Sequence, residues 1–118
     1  CRSLPGLMPW RHRVPPLISA TSVRLIMIEE PGCHFCRKWD TEIAPGYRKS
    51  AEGRFAPLKR LRRGASEISG LAPIVYTPTF IILQGGEELG RITGYPGADY
   101  FYSELRPILA AAGFFPGL

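Results

Sequence analysis

With 118 residues, 45% of them hydrophobic and 21% charged, the sequence has the size and balance of one folded domain, and it excludes a disordered, collagen-like or two-domain chain. No apolar run approaches the roughly eighteen residues that a membrane-spanning helix requires. The net charge of +5 is concentrated where Arg48, Lys49, Arg54, Lys59, Arg60, Arg62 and Arg63 face only Glu52, a run that reads as a solvated face or as a surface for an acidic partner, anionic lipid or nucleic acid.

Residues 1–22 carry Pro5, Pro9, Pro15 and Pro16 among Arg2, Arg11 and Arg13 without a sustained period, and they read as an irregular tail before a domain over 23–118. No secretory signal is visible, and with Cys1 where an initiating Met would stand, one is expected to have been removed. The run at 23–28, Val-Arg-Leu-Ile-Met-Ile, lacks polar alternation and suits a strand covered on both faces. Pro31 and Gly32 stop it. A helical period then begins at His34, with Phe35, Trp39 and Ile43 spaced i, i+4, i+8 as an inward stripe that Cys36 joins. Pro45-Gly46 is expected to end or kink this helix, with a further turn over 47–51.

A second strand is expected at 56–61 and a short helix or loop at 64–73. Thr77-Pro78-Thr79 introduces the apolar run Phe80-Ile81-Ile82-Leu83, Gly85-Gly86 offers a tight turn, and 87–93 returns as an antiparallel strand. From Ala98, the residues Phe101, Leu105, Ile108, Leu109 and Ala112 fall on one helical face that Gly113 closes, with a kink expected near 103–107 because Pro107 lacks a backbone donor. A parallel start followed by a hairpin implies an α/β fold with a mixed sheet flanked by helices.

Two of the three cysteines lie in Cys33-His34-Phe35-Cys36, between the first strand and the first helix. A thiol attacks a disulfide only as thiolate, and a helix N-terminus favours negative charge; cysteines in such settings have pKa values lowered to roughly 3.5 to 7.5. Cys33 precedes the first turn, where free N–H groups and the positive end of the helix dipole face it, whereas Cys36 lies on the inward side. His34, if protonated near either sulfur, would favour the thiolate further; otherwise it is a solvent-facing loop histidine. The rival reading of CxxC is a metal site. Zinc requires three or four ligands, and beyond the pair the chain offers only Cys1, His12 and His34. A purely structural disulfide fits poorly, because so short a loop constrains the unfolded chain little.

CHFC between first strand and first helix, with YTPTFIIL followed by GGEELGRITGY, resembles the thioredoxin superfamily. EEPGCHFCRKWD, TPTF and GYPGADYFYSEL together are most similar to the SoxS-like periplasmic thioredoxins of bacterial sulfur-oxidation clusters. The resemblance implies a thioredoxin fold and a thiol-disulfide oxidoreductase, with Cys33 as attacking nucleophile and Cys36 as resolving thiol. It implies a cis-proline at Pro78, beside which the Thr77 backbone pairs with an extended peptide by strand addition. It further implies reduction of a disulfide on a dedicated protein partner of sulfur-carrier type, an electron-donating thiol-disulfide partner, and a periplasmic location. No cofactor, metal or nucleic acid is expected, and the protein is expected to be a monomer. The chain departs from ordinary thioredoxins in two ways: Trp-Cys-Gly-Pro-Cys is absent, and Met27 stands where a buried acid is usual, leaving Glu29 or Glu30 as candidate proton acceptors. The alternative is a thioredoxin-like binding module that holds a metal at the CxxC or docks an acidic partner without turnover. The direction of electron flow stays open, since thioredoxin and DsbA both use CxxC yet differ by about 150 mV.

Overall fold

The computed structural model describes residues 22–115. In chain order these form β1 (Val23–Glu29), α1 (His34–Glu42), α2 (Ala44–Tyr47), α3 (Ala51–Phe55), β2 (Leu58–Arg62), a 3₁₀ turn (Ser66–Ile68), β3 (Thr79–Gln84), β4 (Glu87–Thr93) and α4 (Ala98–Ala111). Most of the proposed tail, with Cys1 and His12, lies outside the described residues, and β1 starts at the expected Val23.

The strands form one mixed sheet in the order β2-β1-β3-β4. β1 runs parallel to β2, Leu25 opposite Leu58, and antiparallel to β3, Ile28 opposite Thr79. β1 and β3 are therefore central, which explains their continuous apolar runs. β2 is an edge, and its three cations, Lys59, Arg60 and Arg62, suit that place. Gly85 and Gly86, both at positive φ, make the two-residue turn of the β3–β4 hairpin, a conformation that ordinary side chains rarely adopt.

Leu25, Met27, Phe80 and Ile82 point to one face of the sheet and pack with Trp39, Tyr47, Phe101, Leu105 and Leu109 from the helices. At its centre Phe80 and Phe101 meet at 4.9 Å between ring centroids, and Trp39 contacts them at 5.2 and 5.7 Å. Ile26, Ile28 and Ile81 point the other way and are covered by Ile68 with Leu71 and Ile74. No α-helix among the described residues covers that second face. Its cover is the segment 64–77, an irregular strap containing only the 3₁₀ turn.

Two expectations are corrected or refined. The buried stripe of α1 is Cys36, Trp39 and Ile43, spaced i, i+3, i+7, while Phe35 is 48% exposed: in the first turn it faces away from the sheet. α4 continues unbroken through Pro107, which lies on its exposed side. The basic run is also less free than its composition suggests. Arg60 bonds Glu29 and Asp40, Arg63 bonds Glu30, and the run's acid, Glu52, pairs with Arg106 of α4.

Candidate active site

Pro31 and Gly32 turn the chain between β1 and α1, Gly32 at a φ of +81° that favours glycine. The turn leaves Cys33 as the N-cap of α1, in extended conformation, with its N–H donating to the Glu30 carbonyl at 3.3 Å. Its Sγ accepts the Cys36 backbone N–H at 3.1 Å. A thiolate at the same atom would keep that donor and face the positive end of the helix. Cys33 and Cys36 are joined as a disulfide, their Cα atoms 5.2 Å apart. The two sulfur-bearing residues differ in access: Cys33 is half-buried, and Cys36 is 3% exposed within the helix-side core.

The Thr77–Pro78 peptide bond is cis. Pro78 is buried, and the Gly94 N–H donates to its carbonyl at 2.8 Å, which fastens the loop after β4 beside it. The Thr79 hydroxyl donates to the Tyr76 carbonyl at 2.6 Å, and the Thr77 hydroxyl donates to Glu30 Oε2 at 3.0 Å. A groove of about 420 Å³ joins this loop to the CxxC, with Phe35 on one side, Tyr76 and Thr77 on another, and Thr93, Gly94, Tyr95 and Pro96 completing it. Tyr95 is held from beneath by its hydroxyl, which donates to Glu42 Oε1 at 2.6 Å. Burial, and then the Glu42 carboxylate, push the phenol's pKa well up, so it stays a neutral donor.

No protein-family model matches the chain, and no curated protein does. Among solved structures, the chain is similar to the periplasmic thioredoxin SoxS from Paracoccus pantotrophus in its reduced form, with 44% identity and a TM-score of 0.72 over 76% of this chain and 98% of that one. This chain belongs to the SoxS-like thioredoxins. Its fold is also that of thioredoxins from Fasciola hepatica (15% identity, TM-score 0.60, covering 82% of this chain and 92% of that one) and Thermus thermophilus (22%, 0.57, 85% and 86%). With its CxxC joined as a disulfide, this SoxS-like thioredoxin is a thiol-disulfide oxidoreductase.

In this thioredoxin Met27 is fully buried in the helix-side core with Cys36, so apolar surface stands where the resemblance leads to the expectation of an acid. Both candidate substitutes are already engaged by other side chains. Arg60 grips Glu29 through two bonds of 2.9 Å, and that pairing, outweighing partial burial, holds its carboxyl below the usual range and makes it a weaker base. Glu30 is engaged by the Thr77 hydroxyl and by Arg63. His34 is exposed, its ring 5.1 Å from that of Phe35. Among the described residues no three His, Cys, Asp or Glu side chains are grouped to hold a metal ion. No helix among them is long and apolar enough to cross a membrane.

The structure thus brings Cys33, His34, Cys36, Thr77 and Pro78 to one end of the sheet. Sequence reasoning missed Phe35 as a groove wall, Tyr76 and Tyr95 as its other aromatic surfaces, and the Glu30–Arg63 pair behind Thr77. An aromatic inside CxxC was a usable signal for the first. Nothing local signals the others.

Proposed function

We propose that Cys33 is the attacking nucleophile and Cys36 the resolving thiol of a reductase that acts on a disulfide or mixed disulfide of a dedicated protein partner of sulfur-carrier type, in the bacterial periplasm. The observation that carries the division of labour is the unequal exposure of the two cysteines, Cys33 half-buried at the helix N-cap and Cys36 buried in the core, beside a groove walled by Phe35 between them in sequence. Support for the compartment and partner class is the likeness to a periplasmic SoxS.

In the reduced protein the Cys33 thiolate attacks one sulfur of the substrate disulfide. The substrate S–S bond breaks, a Cys33–substrate disulfide forms, and the departing sulfur takes a proton. Cys36, losing its proton, then attacks Cys33 Sγ and releases the second substrate sulfur, which is protonated in turn. Two electrons and two protons have passed to the substrate, and Cys33–Cys36 is the disulfide seen here. A dithiol donor protein restores the reduced pair. The Thr77 backbone pairs with the substrate segment as an added strand, Pro78 shapes that loop, and His34, at the helix tip, favours the thiolate when protonated.

Trapping tests this reading. Prereduced Cys36→Ser is expected to accumulate a covalent, dithiothreitol-reversible adduct with a partner that brings a disulfide, and Cys33→Ser is not. Equal trapping by both variants would overturn the roles. A trapped protein without a sulfur-carrying cysteine would overturn the partner class.

A further inference from the structure

The strap 64–77 makes few bonds of its own beyond its 3₁₀ turn, yet it ends in the loop against which substrate is read. Its backbone is held instead by side chains from the sheet. Arg91 of β4, itself paired with Glu88 at 2.6 Å, donates to the Ala72 and Pro73 carbonyls at 3.4 and 3.3 Å. Arg63, one residue beyond β2, donates through Nη2 to the Ile74 and Val75 carbonyls at 2.9 and 3.1 Å. Its Nη1 meets Glu30 at 3.4 Å, and the same Glu30 oxygen receives the Thr77 hydroxyl. Four successive carbonyls, and then the threonine that precedes the cis-proline, are thereby fixed to the ends of β1, β2 and β4.

We propose that Arg63, acting with Glu30, is a positioning residue that holds the Val75-Tyr76-Thr77 backbone in the place where a substrate peptide adds its strand, a role that rests on the reductase reading above. Magnitudes locate the effect in the carbonyl grip. The Arg63–Glu30 contact is long and its side chains are 41% and 38% exposed, so as an ion pair it contributes little. The two carbonyl bonds are short and come from one rigid, charged fork. Tyr76, whose own carbonyl accepts the Thr79 hydroxyl, is 66% exposed at the groove, so the fixed backbone presents its ring there. A loop left to find this geometry at each encounter would cost affinity for an extended peptide, whereas a small disulfide that needs only Cys33 would not register the change.

The test is single-turnover kinetics of prereduced protein, wild type, Arg63→Lys and Arg63→Ala, with two oxidants: a synthetic peptide carrying a disulfide in an extended apolar segment, and 5,5′-dithiobis(2-nitrobenzoate). Arg63→Lys keeps the charge and removes the fork. The expected result for both variants is a rise of about tenfold in the half-saturating peptide concentration, with the saturating rate, the rate with the small disulfide and the reduction potential of the pair unchanged. Unchanged peptide saturation in Arg63→Lys would overturn the positioning role, even if Arg63→Ala fails to fold. Parallel loss toward both oxidants would also overturn it, by showing that the substitution acts on the Cys33 chemistry. Wild-type protein inert toward both would refute the reductase reading itself, and the role of Arg63 with it.

Discussion

Phe35 and Cys36 are adjacent, and their fates are opposite. The apolar spacing of α1 can be read as 35-39-43 or as 36-39-43, and both fit a helical period; the sheet decides for the second, seating Cys36 and Trp39 in the core and leaving Phe35 half in solvent. The difference is measurable. Trp39→Ala removes a fully buried indole from the cluster with Phe80 and Phe101 and is expected to cost about 3–5 kcal/mol. Phe35→Ala is expected to change stability by less than about 0.5 kcal/mol while weakening capture of a peptide disulfide. Urea unfolding of the oxidised proteins reads both, and comparable losses would restore Phe35 to the core. This residue-level ambiguity was invisible in sequence because cysteine is as acceptable to an apolar face as phenylalanine. The cysteine spacing, by contrast, was legible as a pair at a strand-to-helix junction, whereas Pro78 stood out from the other prolines only through the resemblance of its Thr-Pro-Thr segment to thioredoxins.

Elements built from local pattern were also legible: β1, the β3–β4 hairpin and α4 stand where their apolar periods and turn glycines put them. β2 was displaced by about two residues, because an edge strand with two leucines among cations carries a weak signal. The short helices show why local propensity is not enough. Ser50 caps α3 by accepting the Gly53 N–H at 3.0 Å, and its own hydroxyl donates to the Tyr47 carbonyl at 2.7 Å. Gly53 is buried so closely against that carbonyl that a Cβ would collide with backbone. In an open helix, exchanging glycine for alanine stabilises by about 1 kcal/mol. Here the collision wins, and Gly53→Ala is expected to destabilise by about 1–3 kcal/mol, seen as a lower urea midpoint at unchanged slope. A higher midpoint would show that α3 can shift away from α2.

For the whole molecule, charge pairing fixes the pH range of stability. Hydrogen bonds from Arg60 and Arg91 lower the carboxyl pKa values of Glu29 and Glu88, and at Glu52 burial pushes upward but is outweighed by Arg106 and its backbone. Carboxyls lowered in the folded state contribute stability that is complete above their unfolded value near 4.5 and is lost as pH falls through the lower folded values. Burial raises Tyr47, Tyr95 and Tyr102, whose contribution is complete below about 10 and is lost as pH rises beyond it. Thermal melting of the oxidised protein is therefore expected to show a plateau between about pH 5 and 9 with a fall on each side. A melting temperature that climbs below pH 4 would contradict the carboxylate pairings. Glu29–Arg60 and Glu52–Arg106 join residues 31 and 54 positions apart, so the sequence could not pair them, whereas Glu88–Arg91 is a local contact three positions apart.

The strap on the helix-free face has one property that neither a helix nor a strand would give it. Guanidinium groups grip peptide carbonyls, and every amino acid supplies the same carbonyl. The backbone shape of 72–75 is therefore encoded in large part outside the strap, in Arg63 and Arg91, and its outward side chains are released from that duty. Substitutions at the exposed Val75 and Tyr76 can alter what the strap presents to a partner without moving its backbone, so new specificities can be reached one residue at a time.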